Sequence, residues 1–253
     1  MTSNPDPVAA LARAVLYEGY LLYPYRRTAL KNRHRWNLGV LFPPTYCSQQ
    51  DTSEAFMSQT ECLLEGSSDS SLEVTVRFLH KTDPAPAIRD GEVIEREVST
   101  CMLSVDDLLQ SAAVFPIRFE RGLDGRIEVT AIPAVQGIFR LSVRILNQSP
   151  FSGGNRDQAL ESAFISNHVL LVAQRGRFPS MIDPPEALLE PAATCRNIGT
   201  WPVLVGPEGT SDRMLSCAMI LYDYPRISSQ SPGDLFDATE IDELLTLRVR
   251  TLS

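Results

Sequence analysis

The sequence predicts a mainly β protein, a β-sandwich or barrel-like core with an N-terminal helix and a few short helices. Three observations predict it. Leu72, Val74, Val76 and Phe78 alternate with Glu73, Thr75, Arg77 and Leu79, and Phe139, Leu141, Val143 and Ile145 alternate with Arg140, Ser142, Arg144 and Leu146, which is the period of a strand with one buried face. Roughly ten short runs rich in β-branched and aromatic residues are bounded by Pro, Gly and Ser clusters. Long helices do not alternate with these runs, which disfavours a doubly wound parallel sheet. A length of 253 residues suits one large core, read here as a single β-rich domain over 1–253, with 148–157 as the place where it could divide.

At the N-terminus Asp6 is placed to cap a helix, and Pro7 fits the first position, where a missing N–H costs nothing. Val8, Leu11, Val15 and Leu22 then recur at helical spacing until Pro24 ends the helix. Strands are expected over Trp36–Phe42, Phe56–Glu65 and Leu72–His80, followed by an exposed loop at Lys81–Gly91 with its two prolines. Glu92–Leu103 reads as an edge or hairpin strand, and Ser104 as the cap of a short helix with Asp107 at the reciprocal third position. Val114–Glu120 and Arg126–Pro133 flank Gly122–Gly125 as a hairpin, and Asp157–Ala163 reads as a short helix.

Phe164–Ala173 and Arg177–Ile182 read as two strands turning at Arg175–Gly176. Asp183-Pro184-Pro185-Glu186 looks like a helix start with a capping aspartate, and Pro191 limits or bends that helix. Thr200–Gly206 and Met214–Tyr222 form a second hairpin candidate across Pro207–Asp212. A last helix is expected from Asp237, with Asp237 and Glu240 as a capping box, running through Leu244 and Leu245 toward Arg248.

The net charge of −8 argues against a general affinity for nucleic acid or anionic membrane. No run approaches the roughly eighteen apolar residues of a membrane span. The apolar N-terminal segment carries Arg13 and Glu18 with no basic region ahead of it, a poor signal peptide, so the expected location is the cytoplasm. Cys47, Cys62, Cys101, Cys195 and Cys217 are scattered with no C-x-x-C pair, which reads as small buried hydrophobes in a reducing compartment. No metal or cofactor is expected.

No motif assembles a reactive centre, so no catalytic residue is assigned. His34, His80 and His168 are far apart, and no G-x-S-x-G elbow accompanies them. Cys195 has the adjacent cation Arg196, which favours thiolate, but it follows a helix C-terminal end, which opposes it. Ser152-Gly153-Gly154-Asn155 lacks the Lys-Ser/Thr of a phosphate loop and reads as a flexible turn. Asn147-Gln148-Ser149 matches a glycosylation acceptor but is followed by Pro150. Asp234, Asp237, Glu240 and Glu243 drift around a helix instead of converging, so they read as helix-start acids. Thr200-Trp201-Pro202 reads as an aromatic anchor entering a strand.

Two charged segments suggest docking. Arg26–Arg35 holds Arg26, Arg27, Lys31, Arg33 and Arg35 with His34 and no acid, while Asp234, Asp237 and Glu240 give an acidic counterpart near the other end. Opposite local charges suit electrostatic selection of a protein partner.

The tracts CRNIGTWPVLVG, LYDYPRISSQSPGDLFDATEIDELLTLRV and LYEGYLLYPYRRTALKNRHRWNLGVLFPP resemble a family of uncharacterised bacterial proteins encoded near uptake-type nickel–iron hydrogenases. The resemblance covers most of the chain and carries no motif of known chemistry. It implies an accessory or assembly role, with a hydrogenase subunit or maturation factor as partner. The expected function is therefore a non-enzymatic protein-binding factor. The rival readings are an enzyme whose site gathers Cys195 or His168 from distant strands, and a sandwich module binding a small molecule or glycan through Trp201, Tyr222 and Tyr224.

Overall fold

A computed structural model of the chain describes residues 7–21, 38–49, 53–81 and 93–226. In chain order the elements are α1 (Pro7–Leu21), α2 (Pro44–Gln49), β1 (Met57–Lys81), β2 (Val93–Ser99), β3 (Leu103–Ser104), α3 (Val105–Gln110), β4 (Ala113–Arg118), β5 (Asp124–Val135) and β6 (Ile138–Asn147). There follow α4 (Arg156–Ala159), β7 (Ile165–Arg177), α5 (Leu189–Ala193), β8 (Trp201–Leu204) and β9 (Arg213–Cys217). The protein is mainly β, as its alternating patterns predict. The described strands form one nine-stranded sheet of order β4-β5-β6-β1-β7-β9-β8, with β2 and β3 added on β1. All its pairings are antiparallel. No helix among the described residues is long and apolar enough to cross a membrane.

The 25-residue β1 is the spine. Its first part, Met57 to Glu65, pairs with β6, and its second part pairs with β7 from Ser71 to Leu79 and with β2 from Thr75 to Lys81. The expected strands Phe56–Glu65 and Leu72–His80 are thus two parts of one strand. The Gly-Ser run between them forms a bulge, with the register to β7 shifting between Gly66 and Ser71. Within it Ser70 Oγ accepts the Ser67 N–H at 2.9 Å and donates to the Arg175 carbonyl. Gly66 is required there, because a Cβ would collide with Ser70 Oγ.

The matching irregularity on β7 corrects a second expectation. Arg175–Gly176 is no turn: Arg175 takes φ 53° as a kink, and the strand continues so that Gly176 pairs with Gly66 and Arg177 with Glu65. The expected strand Arg177–Ile182 does not form beyond Arg177. Of the expected strand Trp36–Phe42, the described part is an isolated bridge, in which Leu41 meets Ala55 and Phe164.

Period-two alternation sends Leu72, Val74, Val76 and Phe78 of β1 into one buried cluster with Leu141, Val143 and Ile145 of β6. Burying each such side chain contributes about 1.5–3 kcal/mol. On another face, Val8, Leu11 and Val15 of α1 pack against Val203 of β8 and Leu215 and Cys217 of β9. These are the described members of the apolar stripe read from helical spacing; Leu22, like the expected cap Asp6 and the expected end Pro24, lies outside the described residues.

Caps are partly as expected. Ser104 Oγ accepts the Asp107 N–H at 3.1 Å and starts α3. Asn155 and Gln158 form a reciprocal capping box at α4, so the Gly-Gly-Asn tract ends in a helix cap. The Asp183 cap is not formed. The short 3-10 turn at Glu186–Leu188 has no side-chain cap, and the N–H groups of Ile182 and Asp183 are taken by Ser180 Oγ.

Asn147, the look-alike glycosylation acceptor, is completely buried at the end of β6. Its Nδ2 donates to the carbonyls of Leu41 at 2.8 Å and Ser162 at 2.7 Å, and its Oδ1 accepts the Ser149 N–H at 2.8 Å. One amide therefore ties three loops to the sheet. The near-isosteric Asn147→Asp replaces the donor that faces two carbonyls with an acceptor oxygen. The expected loss is about 2–4 kcal/mol, read as a lower urea midpoint at unchanged slope.

Candidate functional site

An open groove of about 500 Å³, built of described residues, lies where β1, the β5–β6 turn and the end of β7 converge. Its wall is set by the two irregularities described above. Gly66 N–H donates to the Gly137 carbonyl at 2.9 Å, which joins the bulge to the turn. Glu65 and Arg177, paired across β1 and β7, form a two-pronged ion pair at 2.8 and 2.7 Å. The Arg177 hydrogen bonds hold the Glu65 carboxyl below its usual range. Arg175 donates to the Asp69 carbonyl at 2.8 Å, and its guanidinium lies near that residue's carboxylate. The groove thus offers charge already matched to charge, with Gln136 as a neutral neighbour. Its described lining contains no Ser, Cys or His.

The docking residues expected from sequence, Arg26, Arg27, Lys31, Arg33, Arg35, Asp234, Asp237 and Glu240, lie outside the described residues, as do His34, Glu243 and the expected last helix. Trp201, Tyr222 and Tyr224 do not form an aromatic cage. The Tyr224 hydroxyl donates to the Thr210 carbonyl at 2.8 Å, and its ring packs on the main core. Tyr222 is 85% exposed, and Trp201 starts the short strand β8 half-exposed.

Cys195 is half-buried just after α5, where burial and the nearby Glu61 carboxylate push its thiol up to about 11. Arg140 opposes this only weakly. The neighbouring Arg196 acts through its backbone, donating its N–H to Glu61 Oε2 at 2.8 Å. The adjacent cation that sequence offered as an activator therefore brings an acid beside the sulfur. Cys62 is fully buried, and burial drives its thiol strongly upward.

His168 is buried in β7 opposite Arg77, with Nδ1 3.2 Å from the Ser166 carbonyl. Burial is the main cause that brings its pKa down to about 4, and Arg77 adds to it. His80 is also fully buried, and burial, then Arg96, hold it below the ordinary imidazole value. Among the described residues, no group of three or more His, Cys, Asp or Glu side chains is placed to share a metal ion.

Sequence reasoning missed the Glu65–Arg177 pair, since 112 positions separate its members and neither lies in a motif. No protein-family model matches this chain, and no curated protein matches it.

Two outcomes follow from these thiols and imidazoles. At neutral pH, iodoacetamide should label the exposed Cys101 first and Cys195 slowly, followed by mass spectrometry of the alkylated peptides. Labelling of Cys195 ahead of Cys101 would show an activated thiol and refute the assignment. The second outcome concerns acid. The native His168 stays neutral down to about 4, whereas the unfolded chain binds a proton near 6.5. Stability conferred by the neutral ring is therefore complete above 6.5 and is lost as pH falls toward 4, by about 3 kcal/mol in the limit. His80 acts in the same direction. Urea unfolding from pH 7.5 down to about 5.5, where carboxylates stay ionised, should show a shallower slope for His168→Gln than for the parent chain.

Proposed function

We propose that this chain is a non-enzymatic accessory or assembly factor of the cytoplasm that binds a partner protein, in association with an uptake-type nickel–iron hydrogenase system. The observation that carries the reading is that the nucleophile and base most open to catalytic use, Cys195 and His168, are held in their uncharged, unreactive forms by burial and by local charge. A working thiol–imidazole site needs the opposite arrangement, with the thiol lowered and the base near neutrality.

Two further features support a partner-binding role. The basic residues Arg26, Arg27, Lys31, Arg33 and Arg35 and the acidic Asp234, Asp237 and Glu240 supply opposite local charge on an acidic chain. Ile220 and Tyr222 project outward at 80% and 85% exposure from a segment whose Met219 and Leu221 pack beneath α1. Large apolar side chains with that exposure suit contact with another surface. The resemblance of the N- and C-terminal tracts to hydrogenase-associated proteins directs the choice of partner to a hydrogenase subunit or a maturation factor.

The test is co-purification of the tagged chain with hydrogenase subunits and maturation factors, compared with a variant carrying Arg26→Glu, Arg27→Glu, Arg33→Glu and Arg35→Glu. A several-fold drop in recovery of one such partner is expected, with stronger salt dependence for the parent chain. Equal recovery from both, or recovery of no hydrogenase component by either, would count decisively against the reading.

A further inference from the structure

The seven-strand path of the sheet ends at β4 and at β8. A free strand edge offers a row of N–H and C=O groups on which another chain can build. Which residues face outward follows from the alternation of an antiparallel ladder, in which every second pair exchanges both hydrogen bonds.

At one end, Phe119 N–H donates to the Leu123 carbonyl at 2.9 Å. Stepping by two along the register, Ile117–Gly125, Phe115–Ile127 and Ala113–Val129 are bonded pairs, so Val114, Pro116 and Arg118 face away from β5. Pro116 therefore stands in the middle of the outward row and leaves it without a donor there. The Gln148 N–H bond to the Asp124 carbonyl at 2.9 Å fixes the other side of β5, directing its even-numbered positions to β6 and Pro133 to the β4 side. Pro133 lies past Val129, the last β5 partner of β4, so its nitrogen points to the same open edge.

At the other end, Val205 N–H donates to the Arg213 carbonyl at 3.2 Å. By the same stepping, Val203 and Trp201 bond to β9, and Pro202 and Leu204 face out. Leu204 is already engaged: its N–H donates to Asp223 Oδ1 at 2.8 Å, and its carbonyl accepts the Tyr224 N–H at 2.7 Å. Asp223 is held in place by the Ser180 hydroxyl at 2.6 Å. The outward positions of β8 thus present no free N–H at all. Three prolines lie in described strands, and each has its nitrogen aimed away from a neighbouring strand.

We infer that Pro116, Pro133 and Pro202, with the Asp223–Tyr224 strap, close the β4 and β8 ends of the sheet's seven-strand path against edge-to-edge pairing with a second copy of the chain. The inference rests on backbone geometry alone and is independent of the proposed function. A proline at these positions costs no ladder bond, so mere tolerance predicts that its replacement changes nothing, whereas a guarding role predicts self-association.

The experiment measures molar mass by size exclusion with light scattering over a series of concentrations. It compares the full chain with Pro116→Val plus Pro202→Val, with each single Val variant, and with Pro116→Ala plus Pro202→Ala. The Ala pair restores the N–H groups without adding a β-branched side chain. Circular dichroism selects the variants that keep the parent spectrum. Both pairs should reach at least twice the parent's mass as concentration rises, the Val pair at lower concentration. Parent-like mass in every folded variant overturns the inference. So does association of Val variants alone, because added apolar surface would then be the cause.

Discussion

The 25-residue β1 is largely buried, so its backbone groups need partners along both edges, and that requirement organises the molecule. No single neighbour is long enough. On its first part β6 covers one edge, and on the other edge Gln59 and Ile198 exchange N–H···O=C bonds at 3.1 and 2.9 Å. On its second part β7 takes one edge, while β3 and β2 take the other in turn. The change of partners occurs at the Gly66–Ser71 bulge, where extra residues let the strand turn without abandoning its ladder. Arg175 answers with its own kink on β7, so that pairing resumes at Gly176 and Arg177. The Glu65–Arg177 ion pair sits at that junction, and because both side chains are substantially exposed and screened by solvent its role is positional.

Buried polar side chains complete what the ladder leaves open. Thr60, Ser216 and Thr200 link β1, β9 and the start of β8 through hydroxyl contacts of 2.9 and 2.7 Å. Asn167 donates to Ser58 at 2.9 Å while its backbone N–H bonds the Gly39 carbonyl. Asn197 accepts the Glu61 N–H at 2.8 Å, next to the Gln59–Ile198 exchange. Each such bond contributes only about 1 kcal/mol net, but losing one partner exposes the full cost of a buried unpaired group. These residues therefore specify which segment lies against β1, whereas the apolar cluster supplies the bulk of the driving force.

Periodicity made much of this architecture legible. The alternations at Leu72–Leu79 and Phe139–Leu146 gave strands on the correct face, and Val8, Leu11 and Val15 gave the buried side of α1. The hairpins across Gly122 and across Pro207–Asp212 were also readable, because turn residues separate their strands. Failures share one cause. Glycine, serine and a charged residue at positive φ were taken as chain reversals, whereas Gly66 and Arg175 serve as irregularities inside continuous strands whose pairing lies more than 100 positions away. The Asn155–Gln158 box was not read as a cap, because the two preceding glycines drew the reading toward a flexible turn. Asp183 looked like a cap by local rules, but Ser180, fixed by Asp223 from beyond β9, takes the Asp183 N–H that Glu186 would accept in the expected capping box. The groove had no local signal, since its members come from the middle of β1, the β5–β6 turn and the end of β7.

The environment of Cys195 shows why chemical roles resist sequence reading even where folds do not. Along the chain its neighbour is a cation, Arg196, and a thiol beside a cation should ionise readily. Through space its neighbour is Glu61 of β1, brought there because the segment after α5 pairs with the free edge of that strand. The guanidinium can swing into solvent, where its charge is screened within about a Debye length of 8–10 Å. The Glu61 carboxylate cannot leave, since it accepts the backbone N–H of Arg196 and lies within 4.0 Å of Arg140. Half-burial is the larger penalty on the thiolate, and the fixed Glu61 carboxylate adds to it, together pushing the thiol up to about 11. Strand pairing, which exists to satisfy β1, thus deepens a protonation that burial already favours.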